Sequence, residues 1–177
     1  MYIWIGCKLP QSFEESIRRR VLEANRHIQA DTTAFLLPQH ISLKISFETH
    51  QPEAILDFLS HLLASERKFY VSLSAIEQFG NILWIPVQEN ANLHRLHQML
   101  DQQLQQHFGI AQHPFDREFR FHSTLFIDPD SAKIRKLHGL LKNTPLPEQL
   151  AIDTFLLGIS PDGSPGSYQV VQNIKIS

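Results

Sequence analysis

From His40 to Phe47 polar and apolar residues alternate without a break. His40, Ser42, Lys44 and Ser46 fall on one side, and Ile41, Leu43, Ile45 and Phe47 on the other. A side-chain period of two sorts them into one apolar and one polar face only if the segment is an extended strand. A second segment, Phe119 to Ile127, also reads as a strand and carries a related tetrapeptide. His40-Ile41-Ser42-Leu43 is H-x-S-h, where h is apolar, and His122-Ser123-Thr124-Leu125 is H-x-T-h. In each, the histidine has a hydroxyl roughly 7 Å further along the same face. Leu43 and Leu125 point the other way, into a core. The two histidines stand 82 residues apart, so each half of the chain supplies one, and none of the other eight histidines fits the pattern.

The rest of the chain arranges itself around these strands. Residues 1–7 alternate as a strand ended by Leu9-Pro10. Ser12 followed by Glu15 predicts a capping box and a helix to about His27. Pro52 opens a second helix carrying Ile55, Leu56, Leu59, Leu62 and Leu63. Phe69 to Phe79 and Ile82 to Gln88 read as strands joined by a Gly80-Asn81 hairpin turn. Asn90 or Asn92 caps a helix to about His107, closed by Phe108-Gly109. Asp128-Pro129-Asp130 starts a helix to about Leu141, and two last strands span about Leu150 to Gly158 and Tyr168 to Ile176. Hairpin-like neighbours predict antiparallel sheets with helices outside, an α+β fold rather than a doubly wound parallel one. The two halves share an element order, which suggests duplication.

Composition narrows the function. Of 177 residues, 16 are lysine or arginine and 18 aspartate or glutamate, a net charge of −2, which argues against non-specific coating of duplex nucleic acid. The apolar runs fall short of the ~18 residues of a membrane span. The start, MYIWIGCKLP, lacks the basic flank and long apolar core of a signal peptide, so the expected location is cytoplasmic. A single cysteine, Cys7, excludes an internal disulfide framework and a multi-cysteine zinc site, and reads as a buried strand thiol. Neither G-x-G-x-x-G nor a P-loop lysine motif is present.

Paired H-x-[ST]-h segments have a chemical logic. A neutral imidazole takes a proton from water, and an imidazolium gives one to a leaving group. Two of them flanking a phosphodiester do both at neutral pH without a metal. The hydroxyls donate to non-bridging oxygens, where negative charge must be held through the transition state.

These twin motifs resemble the 2H phosphoesterase superfamily, the family of 2′-5′ RNA ligase-like proteins and 2′,3′-cyclic nucleotide phosphodiesterases. Ile3-Trp4-Ile5-Gly6 through Leu9-Pro10, Phe79-Gly80 through Val87, and Tyr168-Gln169-Val170-Val171 are similar to the family's opening strand, mid-chain hairpin and closing strand. The resemblance implies that residues 1–177 form one domain of two similar lobes, with mostly antiparallel sheets facing a central cleft and helices outside. It implies a metal-independent, cofactor-free phosphodiesterase acting on 2′,3′-cyclic phosphates of RNA ends or small nucleotides, with 2′-phosphate as the product. By position His40, Ser42, His122 and Thr124 carry over as the catalytic set. A 2′-5′ ligase or phosphodiesterase, a 3′-to-5′ trimming nuclease and a non-catalytic nucleotide-binding module stay open, as does which histidine is the base. The first motif has Ser where Thr is commoner, and the charged run before His122 replaces a proline-containing one.

Four more residues are candidates for substrate contact. Lys44 and Arg120 share strand faces with the two histidines and would favour a phosphate. Phe126, on the His122 face, and Tyr168 would stack on a base. Trp4 reads as core, and Arg18-Arg19-Arg20 as a solvated helix face. His94 and His97 have a metal-compatible spacing with Asp101 nearby, yet read as a partly exposed helix face. The default assembly is a monomer.

Overall fold

The computed structural model describes all 177 residues. Strand β1, Tyr2–Lys8, is central in the main sheet, and its Ile3, Trp4, Ile5 and Cys7 are all buried. Helix α1, Gln11–Asn25, turns Phe13, Ile17 and Val21 inward. Its N-cap is Pro10, with no side-chain cap; Glu15 instead accepts from Gln11 Nε2 at 2.8 Å. The predicted capping box is therefore absent, because the helix begins before Ser12. A 3₁₀ turn at Thr33–Leu36 follows.

The alternating segment does not stay one strand. It splits into β2, His40–Ser42, and β3, Phe47–Glu48, which pair with different stretches of β1. Five steps from Ser42 to Phe47 face three from Gly6 to Ile3, so two residues are extra. The detour breaks the alternation and turns Lys44 inward, where it is 2 % exposed.

Helix α2, Pro52–Ala64, buries Ile55, Leu59 and Leu63. The long strand expected at Phe69 to Phe79 is two: β4, Phe69–Val71, and β5, Glu77–Phe79. Strand β6, Ile82–Pro86, pairs with β5 across a turn in which Gly80 has φ 60°, the left-handed region open to glycine. Helix α3, Ala91–Phe108, starts as expected on Asn90, whose side chain accepts from two backbone N–H groups, and stops at left-handed Gly109. A 3₁₀ turn at Pro114–Glu118 shortens the next strand, so β7 runs only over His122–Ile127. Helix α4, Ser131–Leu141, is capped by Asp130. Asp153 breaks the run expected at Leu150 to Gly158 into β8, Leu150–Ile152, and β9, Thr154–Ser160. Strand β10, Gln169–Lys175, ends the chain.

Every strand pair is antiparallel. The main sheet runs β10-β9-β1-β2, with β3 beside β1; the others are β5-β6-β7 and β4-β8. The α+β architecture thus holds, with one motif strand at an edge of each larger sheet. The main sheet takes strands from both ends of the chain, while β5-β6-β7 comes from its middle. A cluster of 34 buried residues runs through the molecule. Cys7 lies within it, and burial pushes its thiol well above the usual range. No helix is long and apolar enough to cross a membrane.

Candidate active site

Strands β2 and β7 lie against each other where the two larger sheets meet. Their histidines are held alike. His40 Nδ1 lies 2.7 Å from the carbonyl of Pro38, and His122 Nδ1 2.6 Å from that of Arg120. A carbonyl oxygen only accepts, so each Nδ1 carries the proton and donates it. Each neutral ring then presents a bare Nε2 lone pair, the atom a base uses.

Each ring also rests on one of the two tryptophans. Trp4 of β1 meets His40 edge-on, and Trp84 of β6 meets His122 at a tilt, both with centroids 4.3 Å apart. Trp4 Nε1 donates to Ser42 Oγ at 3.0 Å, which leaves the serine's own proton free for a ligand. Trp84 Nε1 is buried without a partner.

Burial pushes His40 down to about 4, against the opposing effect of the Pro38 carbonyl, and a charge on His122 lowers it further. His122 is also lowered, again by burial first, with the Arg120 carbonyl working against it. Two imidazoles that repel as cations carry at most one positive charge between them near neutrality, beyond the Nδ1 proton each keeps.

Surrounding cavities connect the two motifs crosswise. One of about 370 Å³ touches His40, Thr124, Ile127, Asn81 and Tyr168. Another of about 290 Å³ touches Ser42, His122 and Tyr168. Each histidine thus shares a cavity with the other motif's hydroxyl, and half-buried Tyr168 borders both. The Tyr168 hydroxyl donates to Ser46 at 2.8 Å, which fixes the ring there. The exposed side chain of Arg120 lines two depressions beside His122, one of about 210 Å³ and one of about 690 Å³.

Two expected contact residues are less available than the sequence implies. Lys44 does border the cavity shared by Ser42 and His122, but its Nζ is ion-paired to Asp101 and, at 2.6 Å, to Asp116, so its charge is engaged inside the protein. Phe126 is fully buried, edge-on to Phe35. The β6-β7 register explains why: Trp84 faces Thr124 and Leu83 faces Phe126, so Leu125 is an extra residue. That bulge sends Leu125 and Phe126 both inward and brings Ile127 out beside Thr124.

Sequence reasoning missed several supports. Gln39, buried next to His40, donates through Nε2 to the carbonyl of Thr124 at 2.6 Å. Arg18 is not part of a solvated face: its guanidinium donates to the carbonyls of Phe35 and Leu37, just before the first motif. Asp128 accepts from the backbone of Asp130 and Asp31, which holds its carboxyl below the usual range and ties the rim of the His40 cavity to the end of β7. His97 is buried, contrary to the exposed helix face expected. Its Nδ1 meets the carbonyl of Leu43 at 2.7 Å and its Nε2 that of Asp116 at 2.9 Å. One ring thereby links the segment after the first motif to the turn before the second. His94 instead pairs with Glu89 at 2.8 Å, so the two histidines do not converge. The signal for His97 was its place on the buried side of α3, three residues before Leu100 and one after Leu96.

Comparison with known proteins gives one family and one fold. The model of the 2′-5′ RNA ligase superfamily matches residues 11–162. No curated protein sequence matches the chain. Among solved structures, TT0787 of Thermus thermophilus superposes with a TM-score of 0.66 at 18 % identity, covering 99 % of this chain and 98 % of that one. E. coli LigT complexed with 3′-AMP gives 0.63 at 17 % identity, covering 99 % and 97 %. Kluyveromyces marxianus Usb1 gives 0.58 at 12 % identity, covering 99 % and 98 %.

Proposed function

The chain belongs to the 2′-5′ RNA ligase superfamily, and we propose that within it the protein is a phosphodiesterase opening 2′,3′-cyclic phosphates on RNA ends or nucleotides. The observation that supports this most is the matched pair of histidines, each with Nδ1 on the carbonyl two residues back and Nε2 free. A module that only bound nucleotides would not need two proton-transfer groups. LigT has been crystallised with phosphate, with 3′-AMP and with ATP, which fits an anion-binding role for such a site.

In this reading the phosphate sits between the rings and accepts hydrogen bonds from Ser42 and Thr124. Its negative charge raises both depressed histidines. His40, the ring that burial depresses more strongly, is the base: its Nε2 takes a proton from water as the oxygen attacks phosphorus. His122 Nε2 protonates the departing 3′-oxygen, the P–O3′ bond breaks, and a 2′-phosphate remains. Tyr168 flanks the nucleoside and Arg120 adds positive charge beside His122. No step requires a metal or cofactor.

The test is hydrolysis of the four nucleoside 2′,3′-cyclic phosphates and of a short RNA with a cyclic end, with excess chelator. Chromatography against 2′- and 3′-phosphate standards identifies the product. Chelator-resistant turnover to 2′-phosphate is expected. Turnover of a 2′-5′ internucleotide linkage or of the RNA 3′ end alone would replace the cyclic substrate with that one, and absence of any turnover from folded protein would leave a nucleotide-binding module.

A further inference from the structure

We infer that the cavity leading away from His122 is a second nucleoside subsite, which holds a single-stranded RNA segment next to the reacting phosphate. This rests on the function proposed above. At about 690 Å³ it exceeds the His40 cavity of about 370 Å³, and the β5-β6 hairpin separates the two, with Asn81 lining one and Phe79 and Ile82 the other. Ligand sites generally span about 300–1,000 Å³, so each is large enough for a nucleoside.

The chemistry of the larger cavity fits a nucleic-acid strand. Trp84 leans on His122, and Phe79 stacks on Trp84 at 4.9 Å and 12°, so aromatic surface steps outward from the reacting histidine. Phe79 is still 54 % exposed, and Phe115, which lines the same cavity, is 74 % exposed. Open aromatic faces suit bases, whose stacking is tolerant of sequence. Arg117 and Arg120 line the same cavity with one carboxylate, Glu118, and neither arginine forms an ion pair. Two guanidinium groups against one carboxylate favour the backbone phosphates of a strand. Continuity matters most: His122, Ile45 and Phe119 border both the cavity that His122 shares with Ser42 and this surface.

The test compares a pentaribonucleotide ending in a 2′-phosphate with the matching nucleoside 2′-phosphate, using calorimetry on the full-length protein. Phe115→Ala and Arg117→Ala change exposed side chains on the 3₁₀ turn before β7, outside the two cavities that join the motifs. The pentamer should bind at least about tenfold more tightly than the nucleotide, the range expected from one or two stacked bases. The double variant should lose about tenfold for the pentamer, keep nucleotide affinity, and show a shallower salt dependence for the pentamer. Equal affinity for pentamer and nucleotide, or equal losses for both in the variant, would overturn the subsite. So would concentration-dependent self-association abolished by the same changes, which would make the patch a protein interface. Turnover of the cyclic mononucleotide, measured in parallel, tests the catalytic reading separately.

Discussion

Gln39 Nε2 donates to the main-chain carbonyl of Thr124 at 2.6 Å, so the residue before one histidine is bonded to the hydroxyl residue of the other motif. The two motif strands belong to different sheets, and this bond fixes their spacing directly. Gln39→Leu keeps the shape and removes the donor. Loss of one buried hydrogen bond costs about 1–2 kcal/mol. Misplacement of the paired rings costs more in rate than in binding, about ten- to a hundredfold in kcat. Steady-state kinetics with a thermal melt checks this: a normal kcat in a protein with a lowered Tm would make Gln39 purely structural.

Trp4 lies in a trough made by two glycines. A Cβ at Gly6 would stand 2.6 Å from Trp4 Cζ2, and one at Gly158 2.7 Å from Trp4 Cε3. The bare backbone lets the indole lie flat, with its edge at His40 and its Nε1 on Ser42. Gly158→Ala should displace the ring, cost about 1–3 kcal/mol through overpacking and lower kcat. Trp4→Phe keeps an aromatic ring in the trough and deletes the donor along with one ring of the indole, so it should lower kcat with a smaller loss of Tm. The pair of variants separates positioning of Ser42 from packing.

Asp116 is the hub of a buried polar cluster. It accepts from Lys44 Nζ at 2.6 Å, from the Ile45 amide at 3.0 Å and from the His113 amide at 3.1 Å, and its carbonyl faces His97. Asp116→Ala leaves a buried ammonium with Asp101 as its sole carboxylate, and two amides without their partner. Breaking such a pair on one side costs about 3–5 kcal/mol. Urea denaturation should show that loss, and it should exceed that of Asp101→Ala, since Asp101 bonds no backbone amide. Equal losses would mean the amide contacts contribute little.

The sequence made the proposed reacting groups legible and much of their support obscure, for one reason. Motif and alternation report local geometry, and His40, Ser42, His122 and Thr124 each lie on a short regular stretch. Lys44 and Phe126 lie just past those stretches, where bulges in β2-β3 and β7 reset which face each residue takes. A bulge depends on the partner strand's register, which one strand's pattern does not contain. The same limit split Phe69 to Phe79 between two sheets, since nothing in the segment's own pattern shows that its partner strand changes after Val71. Gln39 and His97 act across 85 and 54 residues of chain, and no spacing rule reaches that far.

Stability should fall on acidification through the two histidines. Both are depressed in the folded protein, His40 to about 4 from an ordinary 6.5. The unfolded chain therefore binds more protons than the folded one between those values. Stability is complete above about pH 6.5 and is lost as pH falls toward 4. The expected Tm–pH curve declines over that window, and His40→Asn should flatten it. Bound phosphate should also flatten it, because an anion between the rings raises both in the fold. A decline unchanged in His40→Asn would assign the acid sensitivity to other groups.

The assignment of base and acid has its own test in the leaving group. A 3′-oxygen must be protonated as it departs, whereas 4-nitrophenolate leaves as the anion. With His40 as base and His122 as acid, both His40→Ala and His122→Ala should lose about 100- to 10,000-fold on a cyclic phosphate. On a 4-nitrophenyl phosphodiester His122→Ala should recover most of that loss, since no acid is needed, and His40→Ala should not, since water still needs a base. The acid limb of the pH–rate profile should persist in His122→Ala and vanish in His40→Ala. The reverse pattern would exchange the two roles while leaving the two-histidine mechanism in place; near-normal turnover in both variants would falsify that mechanism.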